Sequence, residues 1–320
     1  MSRSRWTPAD IPDLSGRTAV VTGASSGLGL HTSLELARHG AHVVMTARDP
    51  HRGDEAVRQV RMQAAGSGRE PDVELLVLDL ADLSSVRSFA ASVVAAHHSL
   101  DLLVNNAGVM ALPRRETTVD GFERQLATNH FGHFALTGLL LPALLSGPSR
   151  VVTVSSMAHR MGRIALDDLQ SEREYSPWKA YGQSKLANLL FTMELQRRAD
   201  ASGADLVSVA AHPGWSATNL VLAGPGTGRP RWLSTVLDAG NRLVAQSAEA
   251  GAWPTLLAAT DPGVRGAEFF GPGSLGGTRG HPARTVARGP AYDPDVAAAL
   301  WERSSQLTGV AYDFSHVPTS

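Results

Sequence analysis

A tyrosine and a lysine, Tyr181 and Lys185, stand four residues apart in a run of helix-forming residues, 180–190. Four residues make about one helical turn, so we expect the phenol and the ammonium on one face of a helix. A nearby cation favours the phenolate and lowers the pKa of a tyrosine from about 10, as a general acid/base requires. The pair alone is weak evidence, because this spacing is common on amphipathic helices.

A glycine-rich turn between a predicted strand and a predicted helix is the second chemical feature. The β-branched run 17–22 ends at Gly23, and Gly27 and Gly29 precede a segment with helical spacing, 30–39. Glycines let the backbone approach a pyrophosphate at the helix N-terminus, where unpaired N–H groups and the helix dipole favour an anion. The G-x-x-x-G-x-G spacing indicates a dinucleotide site, with an ordinary tight βα turn as the alternative.

Ala47 and Arg48 occupy the position that meets the adenosine ribose in such units, about 20 residues after the glycine turn. An acidic residue there would accept from a 2′-hydroxyl, whereas a guanidinium suits a 2′-phosphate. The pair therefore predicts NADP as the cofactor in preference to NAD. Asp49 is the competing ribose ligand, although Asp49-Pro50 also has the composition of a turn into the next helix.

Strands and helices alternate along most of the chain. Predicted strands cover 41–47, 73–78, 100–104, 150–155, 204–211 and 267–270, and predicted helices cover 83–96, 121–145, 248–259 and 293–307. This alternation predicts an α/β fold with a doubly wound parallel sheet, a Rossmann fold. Ligands bind beyond the carboxyl ends of such strands, where Asp79, 105–108, Ser155-Ser156 and Pro213-Gly214 stand.

The chain is predicted to form a single domain, 16–270, that binds the dinucleotide and carries the catalytic residues. A surface arm, 1–15, precedes it, and a C-terminal extension, 271–320, packs on it. Residues 219–246 mix glycine and proline with apolar side chains. We interpret this segment as a lid, with a plain surface excursion as the alternative.

Composition excludes several classes of protein. The 320 residues carry a net charge of −1 and no cysteine, so we expect no nucleic-acid partner and no thiolate metal site. The N-terminus lacks an apolar segment, which predicts neither a signal peptide nor a membrane anchor, and we expect a cytoplasmic location. His130 and His133 form H-x-x-H, but without a nearby acidic ligand we expect packing and no metal site.

Several of these motifs stand in the order of a known family. The chain resembles the short-chain dehydrogenases/reductases over about its first 270 residues. The motifs are Thr22-Gly23-x-x-x-Gly27-x-Gly29, Asn105-Asn106-Ala107-Gly108, Asn129, Ser156, Tyr181-x-x-x-Lys185 and Pro213-Gly214-x-x-x-Thr218. Residues 47–50, the long gap between Ser156 and Tyr181, and residues 180–188 are most similar to the retinol dehydrogenase and protochlorophyllide reductase-like branch.

The resemblance implies a carbonyl/alcohol oxidoreductase with a nicotinamide cofactor. By the same resemblance, Tyr181 would protonate the carbonyl oxygen, Ser156 would hold that oxygen, and Lys185 would bind the nicotinamide ribose and lower the pKa of Tyr181. Asn129 would hold a water that links Lys185 to solvent. The sequence leaves open whether Ser155 or Ser156 faces the substrate. The position of the serine in the family motif favours Ser156. The implied cofactor-binding residues are Gly23, Ser25, Ser26, Gly27, Leu28, Gly29, Arg48, Asp79, Leu80, Asn106, Ala107, Gly108, Tyr181, Lys185, Pro213, Gly214 and Thr218.

Apolar residues motivate predictions of substrate and assembly. The lid and the loop before Tyr181 supply large apolar side chains, among them Trp232, Met161 and Trp178, which favour a bulky apolar carbonyl or alcohol substrate. On helix 121–145 and on the helix that carries Tyr181, apolar residues cover more than one face. A second apolar face predicts a homodimer or homotetramer. The competing hypotheses are a catalytically silent NADP-binding regulatory or scaffold protein and a nucleotide-sugar epimerase or dehydratase.

Overall fold

A central sheet of eight strands organises the part of the chain that the structure, a computed structural model, describes: residues 5–214 and 247–315. The strands are β1 (Thr18–Val21), β2 (His42–Ala47), β3 (Val73–Val77), β4 (Leu102–Asn105), β5 (Ser149–Val154), β6 (Leu206–Ala211), β7 (Phe269–Ser274) and β8 (Arg279–Thr285). Their order is β3-β2-β1-β4-β5-β6-β7-β8, with β1 to β7 parallel and β8 antiparallel to β7. The predicted parallel, doubly wound sheet is confirmed.

Helices cover both faces of this sheet. They are α1 (Gly27–Arg38), α2 (Pro50–Ala64), α3 (Leu83–Ala96), α4 (Gly132–Leu144), α5 (Pro177–Ser202), α6 (Ala248–Thr260) and α7 (Pro294–Thr308). Side chains of α1, α2 and α6 form one core layer with alternate strand residues such as Val21 and Val43. Val20 and Val44 point the other way, into a second layer with α3, α4 and α5, because successive strand residues face opposite sides.

The segment before α4 departs from the single helix predicted over 121–145. A short helical turn, Arg124–Leu126, leads into a π-helical segment, Ala127–Phe131, and α4 follows directly. Glu123 caps the first turn by accepting from the backbone N–H groups of Gln125 and Leu126 at 2.9 and 2.7 Å. A π-helical turn widens the hydrogen-bond ladder and is frequent at functional sites. Here it contains Asn129.

The two ends of the chain are more closely integrated than the sequence suggested. Trp6 and Ile11 lie in the predicted surface arm, yet both are buried in the core layer that contains α1 and α6. The predicted boundary at residue 270 falls inside β7, and β8 extends the same sheet. The predicted lid, 219–246, lies outside the described residues.

The second apolar face that predicted a homo-oligomer is buried by other parts of the same chain. Leu136, Leu140 and Leu189 are fully buried. Helix α7 covers part of this surface, where the rings of Trp301 and Phe191 stack with their centroids 5.7 Å apart. The predicted dimer or tetramer therefore loses its original support and stays a prediction. Among the described helices, none is both long enough and apolar enough to cross a membrane.

Candidate active site

Tyr181, Ser156 and Lys185 meet at the carboxyl end of β5. Ser156 lies two residues after this strand, and the first three turns of α5 carry Tyr181 and Lys185. The Ser156 hydroxyl acts on the Tyr181 phenol through a side-chain hydrogen bond that lowers the pKa of Tyr181, and its oxygen accepts from Ala158 N at 3.2 Å. The Lys185 ammonium lies 5.9 Å from the centre of the Tyr181 ring. The structure thus brings together the three polar groups predicted for proton transfer.

The two neighbouring serines have different partners. The hydroxyl of Ser155 is buried and donates to the backbone carbonyl of Lys185 at 2.8 Å, which holds α5 against the end of β5. Ser156 is only partly buried and is the serine that contacts the phenol. These contacts favour Ser156, the serine expected from the family motif, and its role toward the substrate stays a prediction.

The electrostatics of the Tyr181–Lys185 pair differ from the sequence-based expectation. Burial raises the pKa of Tyr181 above its ordinary value, and the Ser156 hydrogen bond only partly opposes this. Burial also lowers the pKa of Lys185 to about 8. Its ammonium donates to the backbone carbonyl of Val154 at 3.0 Å, so it is not directed at the phenol oxygen. The pKa of Tyr181 is thus raised, contrary to the expected lowering by Lys185, because desolvation of the phenol outweighs the Ser156 hydrogen bond.

Asn129 lies beside this cluster and is fully buried. Its side chain accepts from Val109 N at 2.8 Å and donates to Val109 O at 2.9 Å and to Ser184 at 2.8 Å. A side chain on Gly108 would lie 3.0 Å from the Asn129 oxygen and 3.4 Å from the Lys185 nitrogen. Asn129 therefore positions the loop after β4 next to Lys185, and its predicted water-holding role stays a prediction.

The glycine turn after β1 packs against the segment that follows β4. Gly23 has a positive φ of 64°, and a Cβ there would lie 2.9 Å from the Cα of Ala107. A Cβ on Gly29 would lie 2.6 Å from the side-chain nitrogen of Asn106. Helix α1 begins at Gly27, and its N-cap residue, Ser26, makes no side-chain cap hydrogen bond. The turn thus leaves room for close backbone approach and keeps helix N–H groups available for a phosphate, which fits the predicted dinucleotide.

Thr22 and His133 are positioning residues that the sequence analysis missed. The Thr22 hydroxyl accepts from the backbone N–H groups of Asn106 and Ala107 at 2.8 and 3.0 Å. It also contacts His133 Nε2 at 2.9 Å, and His133 Nδ1 donates to the carbonyl of Asn129 at 3.0 Å. Burial lowers the pKa of His133 to about 4, so a neutral ring with Nε2 as acceptor completes this chain of bonds. The signal available in the sequence was the spacing of Asn129 and His133, one helical turn apart.

The remaining predicted cofactor residues surround the turn. Ser25 is partly buried and Leu28 is buried at the start of α1, while Leu80 is buried after β3. Asp79 accepts from Ala81 N at 2.9 Å. These positions all follow the carboxyl ends of β1 or β3, as predicted.

The two candidate ribose ligands at the end of β2, Arg48 and Asp49, have different contacts. Arg48 is exposed directly after the strand. Asp49 is the N-cap of α2, and its carboxylate accepts from the backbone N–H groups of His51 and Arg52 at 2.9 and 3.4 Å. The turn predicted from Asp49-Pro50 is therefore present, and the Asp49 carboxylate is already engaged in it.

The last predicted elements of the site follow β6. Gly214 has a positive φ of 71° and donates its N–H to His212 Nδ1 at 3.2 Å. Burial lowers the pKa of His212 to about 4, so its ring shapes this turn as a neutral acceptor. Pro213 lies in the same turn, and Thr218 lies outside the described residues.

The predicted H-x-x-H motif places its two rings against different partners. His130 donates from Nε2 to the Ser304 hydroxyl of α7 at 2.9 Å, while His133 contacts Thr22 and Asn129. Burial lowers the pKa of His130 to about 3. Both rings are packed and hydrogen-bonded in the way that the sequence analysis favoured over metal binding.

Comparisons with known proteins agree with this arrangement. The family model described as short chain dehydrogenase matches residues 17–223. Polyprenol dehydrogenase of Mus musculus is 43% identical over 317 residues, 96% of this chain and 88% of that protein. Retinol dehydrogenase 13 of Homo sapiens is 41% identical over 310 residues, 94% of this chain and 86% of that protein.

Solved structures show the same fold. The crystal structure of an uncharacterised protein from Mycobacterium Paratuberculosis is 47% identical and has a TM-score of 0.80, covering 97% of this chain and 100% of that chain. A protein from Beutenbergia cavernae, described as an NAD(P)-dependent gluconate 5-dehydrogenase with NADP bound at low occupancy, is 28% identical with a TM-score of 0.58, covering 78% of this chain and 91% of that chain. The chain belongs to the short-chain dehydrogenase/reductase family, in its retinol dehydrogenase-like branch, and is an NAD(P)-dependent oxidoreductase acting on CH–OH and C=O groups.

Proposed function

We propose that the protein interconverts a bulky apolar carbonyl compound and its alcohol with NADP, using Tyr181 as the general acid/base. The observation that carries this proposal is the contact of Ser156 with the Tyr181 phenol beside the Lys185 ammonium. A hydroxyl, a phenol and an ammonium in one buried cluster supply the hydrogen bonds and the proton that a developing alkoxide needs.

The roles of these groups follow from their contacts. The nicotinamide, when bound, supplies or accepts the hydride. The Ser156 oxygen accepts from Ala158 N, so its one proton can be donated to the Tyr181 phenol or to a substrate oxygen. Tyr181 gives its proton to that oxygen during reduction, and a positioned acid of this kind contributes about 10² to 10⁴ in rate. A Cβ on Gly108 would lie 3.4 Å from the Lys185 nitrogen, so this glycine leaves space beside the ammonium that would bind the nicotinamide ribose.

The preference for NADP rests on the end of β2. Because the Asp49 carboxylate caps α2, it is less available to accept from a ribose 2′-hydroxyl. Arg48 is exposed beside it and offers a guanidinium suited to a 2′-phosphate. This arrangement favours the original interpretation over the competing one, in which Asp49 would bind the ribose of NAD.

The apolar substrate is supported by side chains around Tyr181. The ring of Trp178 is 52% exposed and lies 6.1 Å from the Tyr181 ring, and Met161 is 61% exposed beside Gly182. Exposed apolar groups next to a reactive phenol suit an apolar ligand. The relatives named for polyprenol and retinol, both apolar isoprenoid alcohols, support the same class. Trp232, also expected to line the pocket, lies outside the described residues.

The test is a series of aldehydes of increasing apolar chain length, assayed with NADPH, together with one polyhydroxylated aldehyde. We expect kcat/KM to rise with apolar length and to fall for the long members in Trp178→Ala. Met62→Ala is the matched control, because Met62 is also an exposed apolar residue but lies on α2. Preference for the polyhydroxylated aldehyde, or an equal loss in both variants, would contradict the proposed substrate class.

The second candidate is a catalytically silent NADP-binding protein. It would need the glycine turn and Arg48, but it would have no use for the contacts among Ser156, Tyr181 and Lys185. Binding of NADPH without turnover of any aldehyde in the series would favour this candidate. Turnover that depends on Tyr181 would exclude it.

A further inference from the structure

His42, Glu74 and His97 converge at the end of the sheet opposite the candidate active site. One nitrogen of each imidazole and one carboxylate oxygen lie within 4.8 Å of one another. We propose that these three side chains form a structural site for a divalent transition-metal ion such as Zn²⁺, with Asp72 as a supporting carboxylate. The site does not depend on the proposed substrate or cofactor.

The sheet register brings the two strand residues together. His42 begins β2, and Val44 of the same strand pairs with Glu74 of β3. His42 and Val44 are two residues apart and face the same side of the sheet, and Glu74 shares that side because it is paired in register. Val44 faces the core layer of α3. His97 immediately follows α3 and reaches the same place from the helix end.

The separations of the donor atoms match those around a tetrahedral ion. Oε1 of Glu74 lies 3.3 Å from His42 Nε2 and 3.3 Å from His97 Nε2. Zinc binds histidine nitrogen at about 2.0–2.1 Å and carboxylate oxygen at about 2.0–2.2 Å, so neighbouring ligand atoms lie about 3.3 to 3.5 Å apart. Two of the three separations already fit, and the third, between the imidazole nitrogens, is at most 4.8 Å.

The second nitrogen of His42 points to the same conclusion. Its Nδ1 lies 2.9 Å from Asp72 Oδ1 and donates to that carboxylate. The other ring nitrogen, Nε2, faces Oε1 of Glu74 at 3.3 Å. A carboxylate on the outer nitrogen of a ligating histidine is the usual arrangement around zinc.

The surroundings suit a cation of this class. The side chains of His42 and His97 are 23% and 18% exposed, so the site is sheltered yet reachable from solvent. Two imidazoles favour zinc, copper or nickel over magnesium and calcium, which prefer oxygen ligands. The C-terminal end of α3 adds a partial negative charge next to His97. An ion here would join β2, β3 and α3.

The experiment is calorimetric titration of the chelator-treated full chain with ZnCl₂. We expect one Zn²⁺ per chain, an affinity loss of at least about tenfold in His97→Gln, and a loss of about tenfold in Asp72→Asn, the scale of an outer-shell partner. His98→Gln is the matched control, because His98 is the exposed neighbour outside the cluster, and it should bind as the parent does. Mg²⁺ should not compete.

A spectroscopic measurement keeps the result independent of folding effects. Co²⁺ in place of Zn²⁺ should give the visible absorption of a four- or five-coordinate ion, and this absorption should be absent in His97→Gln whose circular dichroism matches the parent. Failure of the parent to bind Zn²⁺ stoichiometrically would overturn the proposal. Equal binding by His97→Gln and His98→Gln would overturn it as well.

Discussion

At the scale of single residues, the ammonium of Lys185 carries an electrostatic cost. Burial lowers its pKa from 10.5 to about 8. Between these two pH values the unfolded chain binds more protons than the folded chain, so stability rises with pH in this window. Below about pH 8 the charged form costs the folded state about 3 kcal/mol, at about 1.4 kcal/mol for each tenfold change in proton affinity.

Replacing Lys185 by Met should therefore stabilise the protein while abolishing its activity. At pH 7 we expect a gain of about 1 to 3 kcal/mol, because the buried charge is removed and Asn188 still donates to the Val154 carbonyl. The gain should shrink as the pH approaches 10.5. Thermal unfolding of both proteins across this pH range measures it. Lys179→Met, on the exposed face of the same helix, should change stability by less than about 0.5 kcal/mol. A loss of stability in Lys185→Met at pH 7 would contradict this account.

Arg48 should discriminate between the two nicotinamide cofactors. Replacement by Ala should weaken NADPH binding by about 1.5 to 3 kcal/mol, the scale of a charge-assisted hydrogen bond, and leave NADH binding nearly unchanged. Fluorescence titrations with both cofactors measure this. Arg52→Ala, an exposed arginine in the first turn of α2, is the control. Equal losses for NADPH and NADH would show that Arg48 does not read the phosphate.

The sequence predicted which residues would meet at this scale, but not their electrostatics. The one-turn spacing of Tyr181 and Lys185 and the order of the motifs were sufficient to place both beside Ser156. The pKa of Tyr181 depends instead on how far the phenol is desolvated and on where the ammonium points. Those quantities come from tertiary packing, which a residue pattern does not contain.

At the scale of elements, the π-helical turn before α4 connects the cluster of Ser156, Tyr181 and Lys185 with the loop after β4 that is proposed to contact the cofactor. His133 links the Asn129 carbonyl to the Thr22 hydroxyl, and Thr22 holds the backbone of Asn106 and Ala107. Displacement of this ring should thus affect cofactor binding without direct contact. The geometry makes His133 a positioning residue.

His133→Leu tests this link. The substitution leaves a buried carbonyl without its donor and should destabilise the protein by about 1 to 3 kcal/mol. It should also weaken NADPH binding, measured by titration at a temperature where the variant is folded. His130→Leu is the matched control, because His130 is equally buried and its ring hydrogen-bonds Ser304 rather than Thr22 or Asn129 in the described part of the chain. A comparable stability loss with unchanged NADPH affinity is expected there. Equal effects of the two variants on affinity would argue against the link.

The segment that leads into α4 also shows what local sequence patterns cannot predict. Apolar spacing predicted one helix over 121–145, since periodicity does not reveal a change from α- to π-helical hydrogen bonding. The partners of His130 and His133 are 174 and 111 residues away in sequence. Only the fold brings Ser304 and Thr22 to these rings.

At the scale of the whole molecule, the parallel sheet could be predicted because each βα unit is a local pattern. The ends of the chain could not be predicted in the same way. The edge strand β8 is rich in glycine, proline and arginine, and it forms a strand because β7 offers it a partner. Trp6 and Ile11 are buried because α1 and α6 create the core on which they pack. Both outcomes depend on contacts between distant segments.

The central claim is that Tyr181 is the general acid/base, and single-turnover reduction of a long-chain apolar aldehyde by NADPH tests it most directly. Tyr181→Phe should bind NADPH within about twofold of the parent and lose turnover by at least about 10², the lower range for a positioned acid. Tyr175→Phe, which removes a phenol bonded to Leu112 O, should retain turnover. Normal turnover by Tyr181→Phe on an aldehyde that the parent reduces would contradict the account and assign the proton to another group.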